Sequence, residues 1–321
     1  MINRNLLIFV LTFMFFVITC DDSVNPNADF RERNILNGII NADTNDFVVT
    51  LSRSYEIDGL DPYENTTDPA IHGADVKVWF DDKVRLLVED TVGRIDKSRY
   101  DSDVSFYFND DVQPLPGSFI EIEALLQSGL LLKSRTQVPD TLKTSAFINS
   151  DKIVPATSYS DEFFISWTNE SGIFYHPRLF IRYYYNKSDS TILLKKQIPF
   201  DYVSDGDSLK PVYANPSLKS SYSISMETLD RAMEDISGDD PEKGDYFIVR
   251  IELEVMIYNK ELSTYYSSVS NFSSDFTILV NQPDYTNIEG GFGVFGAYGI
   301  SKFKINLTDD YIESFGYTKI F

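Results

Sequence analysis

The chain has 321 residues, with 49 Asp and Glu against 28 Lys and Arg, a formal charge of −21, one cysteine and two histidines. That balance argues against nucleic-acid binding, which needs a basic footprint, and against docking of the body on anionic headgroups; a single cysteine excludes an internal disulfide. With 20 Tyr and 24 Phe among many Val, Ile and Thr, the composition favours sheet over helix, and a chain of about 300 residues exceeds the size at which one core keeps growing, so two domains are expected.

Arg4 is the only charge ahead of Leu6–Ile18, an apolar run interrupted only by Thr12. This is the pattern of an export signal covering residues 1–19, and the run is shorter than the roughly 20 residues of a membrane-spanning helix. It ends at Val17-Ile18-Thr19-Cys20, which resembles the lipobox of bacterial lipoproteins, with Thr19 a less usual residue before the cysteine. Cys20 is therefore expected to carry covalent lipid, the one prosthetic addition predicted, and several acyl chains make such attachment effectively permanent. Residues 20–33, with Asp21, Asp22, Asn25, Pro26 and Asn27, lack the apolar content to order themselves and read as a flexible tether. Acidic residues behind a lipidated cysteine also resemble a surface-export signal of Bacteroidota lipoproteins, so the expected location is the outer membrane, facing the extracellular side.

From there the chain alternates short strands with turns. Ile35–Ile40 and Phe47–Ser54 come first; in the second, Phe47, Val49 and Leu51 share one face. After a polar loop from Asp58 to Gly73, Ala74–Phe80 alternates Ala74, Val76, Val78 and Phe80 against Asp75 and Lys77, and Asp81-Asp82 makes a tight hairpin to Lys83–Glu89. Val104–Phe108, Ser118–Leu126 and Leu130–Gln137 complete about seven strands, the number of a transthyretin-like or immunoglobulin-like β-sandwich over residues 34–138. Val138-Pro139-Asp140 is the expected exit. Residues 139–321 read as a second β-rich domain, with strands at Thr144–Asn149, Glu162–Thr168, Phe174–Tyr185, Thr191–Pro199, Asp245–Tyr258, Thr277–Val280 and Gly293–Leu307. One helix is clear, Met226–Ser237, where Met226, Leu229, Met233 and Ile236 share a face between the N-cap Ser225 and Gly238. Lys260–Ser270 is a second helical stretch, with Leu262, Tyr265, Tyr266 and Val269 on one side.

Parts for catalysis are scarce. His72 and His176 sit in loop-like contexts, and no Gly-x-Ser-x-Gly, His-Glu-x-x-His or phosphate-loop motif occurs. No catalytic or metal-ligating residue is nominated, no cofactor is expected, and the chain is read as a non-enzyme. Acidic turns at Asp101–Asp103, Asp205-Gly206-Asp207 and Asp239-Asp240 offer oxygen ligands without the spacing of an EF-hand. Paired carboxylates leave hydrolase chemistry as a remote alternative. The segment Asn287–Tyr298 sets four glycines among Phe292, Phe295 and Tyr298. It reads either as a buried strand relieved by glycine or as an exposed aromatic binding site.

Cys20 with its acidic tether, Arg33–Gly38 leading into Val49–Ser54, Ile71-His72-Gly73-Ala74-Asp75-Val76 and the closing Asn287–Tyr298 together resemble a family of Bacteroidota surface lipoproteins known chiefly as a domain of unknown function and commonly encoded beside TonB-dependent receptors. The resemblance implies a transthyretin-like N-terminal sandwich, a β-rich second domain and a receptor partner, and it lends no catalytic residues. The expected function is thus a substrate-binding or accessory partner of a TonB-dependent receptor, with a stand-alone adhesin or surface scaffold as the alternative.

Overall fold

A computed structural model describes residues 30–57, 61–140, 146–148, 153–155, 161–187, 190–206, 208–270 and 285–320. Seven strands fill the N-terminal stretch: β1 (Asn34–Asn41), β2 (Phe47–Arg53), β3 (Asp75–Phe80), β4 (Lys83–Val92), β5 (Val104–Asn109), β6 (Phe119–Leu125) and β7 (Leu131–Gln137). Each falls on a predicted segment because its alternation matches the two-residue period of a strand. Burial follows it: Phe47, Val49 and Leu51 of β2, Val76, Val78 and Phe80 of β3, and Ile120, Ile122 and Ala124 of β6 all point into one core.

β3 and β4 are joined by Asp81 and Asp82 alone, at φ 46° and 61°, the reversed two-residue turn whose twist suits a hairpin. Asp81 also accepts the Leu115 N–H at 2.9 Å. β4 is the corner between two layers: Lys83–Leu87 ladders onto β3, and Val88–Val92 onto β5. The layer β1-β2-β5 therefore folds over β3-β6-β7 with the core between them.

The remaining strands are β8 (Ala146–Ile148), β9 (Ile153–Val154), β10 (Glu162–Trp167), β11 (Tyr175–Lys187), β12 (Ser190–Ile198), β13 (Asp201–Asp205), β14 (Ser208–Val212), β15 (Ser221–Ser225), β16 (Tyr246–Tyr258), β17 (Phe292–Leu307) and β18 (Thr318–Lys319), with helices α1 (Met226–Ser237), α2 (Lys260–Ser270) and α3 (Asp309–Ser314). The protein is mainly β. β12-β11-β16-β17 continues directly into β1-β2-β5-β4-β3-β6-β7, a single mixed sheet path. A second core lies on one face of β11, β16 and β17, covered by the β15-β10-β8 sheet and α1. α1 has the predicted bounds. Ser225 Oγ accepts the Thr228 N–H at 3.1 Å, Leu229, Met233 and Ile236 are buried, and Gly238 at φ 56° ends it.

β17 belongs to both cores. Phe295 and Ala297 complete the first, while Ile305 and Leu307 lie in the second. Its pairing with β1 is parallel, Ile35 opposite Phe292 through Asn41 opposite Tyr298, and its pairing with β16 antiparallel. Strands β9, β13, β14, β15 and β18 and helix α3 were not predicted; β9 and β18 have two residues each, too few to show a period. β13 and β14 form a hairpin with nine of ten residues exposed, so no face had to be apolar. β15 carries only Tyr222 and Ile224 among serines, and α3 has six residues. The predicted strand Thr277–Val280 lies outside the described residues.

The Asp81-Asp82 turn sets up a test. The second central position of this turn favours glycine, and a Cβ in the left-handed region costs about 1 kcal/mol. Asp82→Gly is expected to stabilise the protein by about 0.5–1 kcal/mol in urea unfolding, whereas Asp82→Val destabilises it.

Candidate functional site

The glycine-aromatic segment is the N-terminal half of β17. Gly293 has φ 111°, and a Cβ there would lie 2.1 Å from the Leu36 carbonyl oxygen, so only glycine lets β17 meet β1. At Gly296 a Cβ would lie 3.0 Å from that of Leu262; the missing side chain lets α2 settle on the sheet. The three aromatics go to different places. Phe295 is fully buried, tilted against Phe47 at 6.1 Å. Tyr298 is half-buried under α2, edge-on to Tyr258 at 6.2 Å. Phe292 lies under the Arg33 guanidinium at 4.4 Å. Cys20 lies outside the described residues.

His72 is exposed, and its Nδ1 lies 2.6 Å from Glu89 Oε1; Glu89 also accepts the Gly73 N–H at 2.7 Å and the Ser105 hydroxyl at 3.1 Å. This carboxylate orders the turn into β3. His176 lies on β11 with its Nδ1 3.5 Å from the Tyr258 hydroxyl. Burial, reinforced by the Arg178 charge, pushes its pKa below the usual histidine value. The two histidines belong to different parts of the fold. Asp240 is engaged by the Glu242 N–H and the Tyr246 hydroxyl, each at 2.9 Å, and Asp205 pairs with Lys210; Asp207 lies outside the described residues. Among the described residues no three His, Cys, Asp or Glu side chains converge as a metal site would require.

A cleft of about 810 Å³ opens where β7 exits, between Gln137–Asp140, the Thr168–Ile173 turn and the junction of β16 with α2. Its polar floor is Asn259. The side chain caps α2 by accepting the Leu262 N–H at 3.0 Å, and its amide donates to the Gln137 carbonyl at 3.0 Å and to Thr136 Oγ1. Thr136 Oγ1 in turn donates to Glu261 at 3.2 Å. These groups hold β7, β16 and α2 together, and none of the three is a free nucleophile or base.

The more distinctive surface is the outer face of the N-terminal layer. Register places Val48 (β2), Phe108 (β5) and Val88 (β4) in one row, Val104 beside Val92, Phe106 beside Asp90, and Val84 beside Trp79. Val84, Leu86, Val88 and Val92 are between 50% and 63% exposed. Because β4 turns from one layer to the other, Val84 and Leu86 lie on the outside of the β3 layer and Val88 and Val92 on the outside of the β5 layer, so the exposed apolar side chains run along β4 around the corner; exposed apolar clusters of this kind are often functional.

A family model described as a domain of unknown function, DUF4249, matches residues 21–304. The chain belongs to that family. No curated protein matches it. The match covers the apolar face, the cleft and the glycine-aromatic segment of this DUF4249 chain. These exposed apolar residues were not expected from the sequence, in which Lys83–Glu89 stands only as the second arm of the Asp81-Asp82 hairpin. The signal was present in Val84-Arg85-Leu86-Leu87-Val88, where Leu87 points inward and its apolar neighbours have no core to enter.

Asn259 is expected to be structural. Asn259→Ala removes a helix cap and two further hydrogen bonds, one to a buried hydroxyl, and should cost about 1–3 kcal/mol in urea unfolding. Unchanged stability would show that the cleft floor does not hold α2.

Proposed function

We propose that this DUF4249 protein is a non-catalytic surface lipoprotein, anchored through Cys20, that docks onto an integral outer-membrane partner through the exposed apolar side chains along β4, where it turns between the two layers. A TonB-dependent receptor is the partner suggested by the family resemblance, and substrate capture beside that receptor is the role. The observation that carries the reading is the exposed row of Val84, Leu86, Val88 and Val92 with Phe106, Phe108, Val48 and Trp79 around it. Asp90 and Lys77 stand among these apolar side chains, opposite Phe106 and Leu86, and a mixture of apolar and polar groups is the ordinary composition of a protein interface.

The tether fits the same reading. Twelve residues lie between Cys20 and Arg33, where the compact body begins, and an unstructured chain of that length would have a root-mean-square reach of about 20 Å. A body held that close to the membrane meets an integral partner at high local concentration, so a modest contact area suffices.

Two experiments test the two halves of the proposal. Cys20→Ala should move the protein from the detergent phase to the aqueous phase on phase partitioning, and retention in detergent would remove the anchor from the account. Pull-down from detergent-solubilised membranes should recover a β-barrel transporter with the wild type and at least tenfold less with Leu86→Asp/Val88→Asp. Both positions are solvent-exposed, so folding should survive. A wild-type pull-down without any such transporter sinks the receptor reading.

A further inference from the structure

The outer face of β12-β11-β16-β17, opposite the second core, carries charge of the wrong sign for an acidic protein. In register order it presents Lys195 on β12, Arg178 and Arg182 on β11, Arg250 with Glu252 and Glu254 on β16, and Lys302 and Lys304 on β17. Six cations thus face two carboxylates in a chain whose total is −21. Both glutamates are buried, and each is held by two of the cations. Arg178 Nη2 is 2.8 Å and Lys302 Nζ 3.9 Å from Glu254; Arg182 Nη2 is 2.8 Å and Arg250 Nη2 3.5 Å from Glu252. Burial by itself would raise the Glu252 pKa, but Arg182, Lys302 and Arg250 override it and keep the carboxylate ionised.

The excess lies in one row. Lys195, Arg182 and Arg250 stand directly opposite one another on three adjacent strands. Like charges in that relation destabilise a sheet, and among the described residues the Glu252 carboxylate is the one that pairs with Arg182 and Arg250. The ladder between β11 and β16 is also irregular at Arg182/Tyr183, a feature that re-aims side chains and recurs beside functional sites. Lys195 and Arg178 lie over the Phe180 ring at 4.4 and 5.7 Å, a favourable but modest contact for each. Lys304 has no ion pair among the described residues and is exposed.

We propose that this face binds an acidic polysaccharide through its carboxylate or sulfate groups. The cations extend over three strand spacings, roughly 14 Å, too far for a single oxyanion to touch and suited to a chain with repeated negative charge. The central strands β11, β16 and β17 expose no large apolar side chain on this face, whereas a protein interface is built on an apolar centre; a solvated polyanion fits better. The acidic remainder of the protein does not forbid it. Screening at physiological salt limits exposed charges to about 8 Å, so contact cations dominate. This inference is independent of the receptor reading and uses a different face.

The test uses the full lipoprotein in detergent, with immobilised dextran sulfate and polygalacturonate against neutral dextran, in about 50 mM salt. The wild type should be retained on at least one charged polymer and not on dextran. Lys195→Gln/Lys304→Gln, at two exposed positions that make no ion pair with the buried glutamates among the described residues, should bind at least tenfold more weakly, with a dependence on log salt shallower by about 1.5 because each contacting cation releases most of one counterion. Leu86→Asp/Val88→Asp should bind the polymer as the wild type does, which separates this face from the docking face. The proposal is overturned by wild-type retention no greater than on dextran, by an unchanged double variant with intact circular dichroism, or by binding to polyglutamate or phosphatidylglycerol vesicles alone.

Discussion

The seven-residue parallel ladder between β1 and β17, Ile35–Asn41 against Phe292–Tyr298, ties the start of the folded body to its end. Parallel neighbours need a crossover connection, and here the crossover is nearly the whole chain. The first core therefore lacks Phe295 and Ala297 until the C-terminal segment arrives, and the second core shares the same strand through Ile305 and Leu307. Contacts of such separation close late and slowly, because loop entropy is lost before they form. Gly293 is the local requirement on which the ladder rests: with the Leu36 carbonyl where a Cβ would sit, no other residue permits the two backbones to approach.

Much of this was legible in the sequence wherever one physical demand dominated. Strands with one buried face announce themselves by alternation, as in Val76, Val78 and Phe80, and α1 by its cap and its apolar spacing. Elements without a buried face did not, since the β13-β14 hairpin has nothing to alternate against and its Pro211 argues against a strand on local grounds. Long-range pairing was also out of reach. Nothing local to Ile35 or Phe292 names the other, and a period says which face a residue takes, not which strand it joins.

The aromatic segment shows how far residue type misleads without geometry. Phe292, Phe295 and Tyr298 recur every third residue, and a strand has a period of two, so Phe295 must face away from the other two. They cannot form one aromatic platform on this strand. The surfaces that stand out instead come from register between strands: exposed apolar side chains along β4 as it turns from β3 to β5, and a cationic face from β11, β12, β16 and β17.

The two faces also differ in how their side chains are held. An exposed lysine–carboxylate pair contributes little and samples many rotamers. Arg178 and Arg182 are different, because each donates to a glutamate that is itself almost wholly buried. Removing either arginine would strand an ionised carboxylate in the sheet, a change that commonly costs several kcal/mol, so the guanidinium positions are set by the fold. The row Lys195-Arg182-Arg250 then keeps more positive charge than Glu252 can neutralise. Like charges left opposite one another in a sheet cost stability, and a local conflict of that kind is where a functional demand is expected, which is the ground on which the polyanion proposal stands.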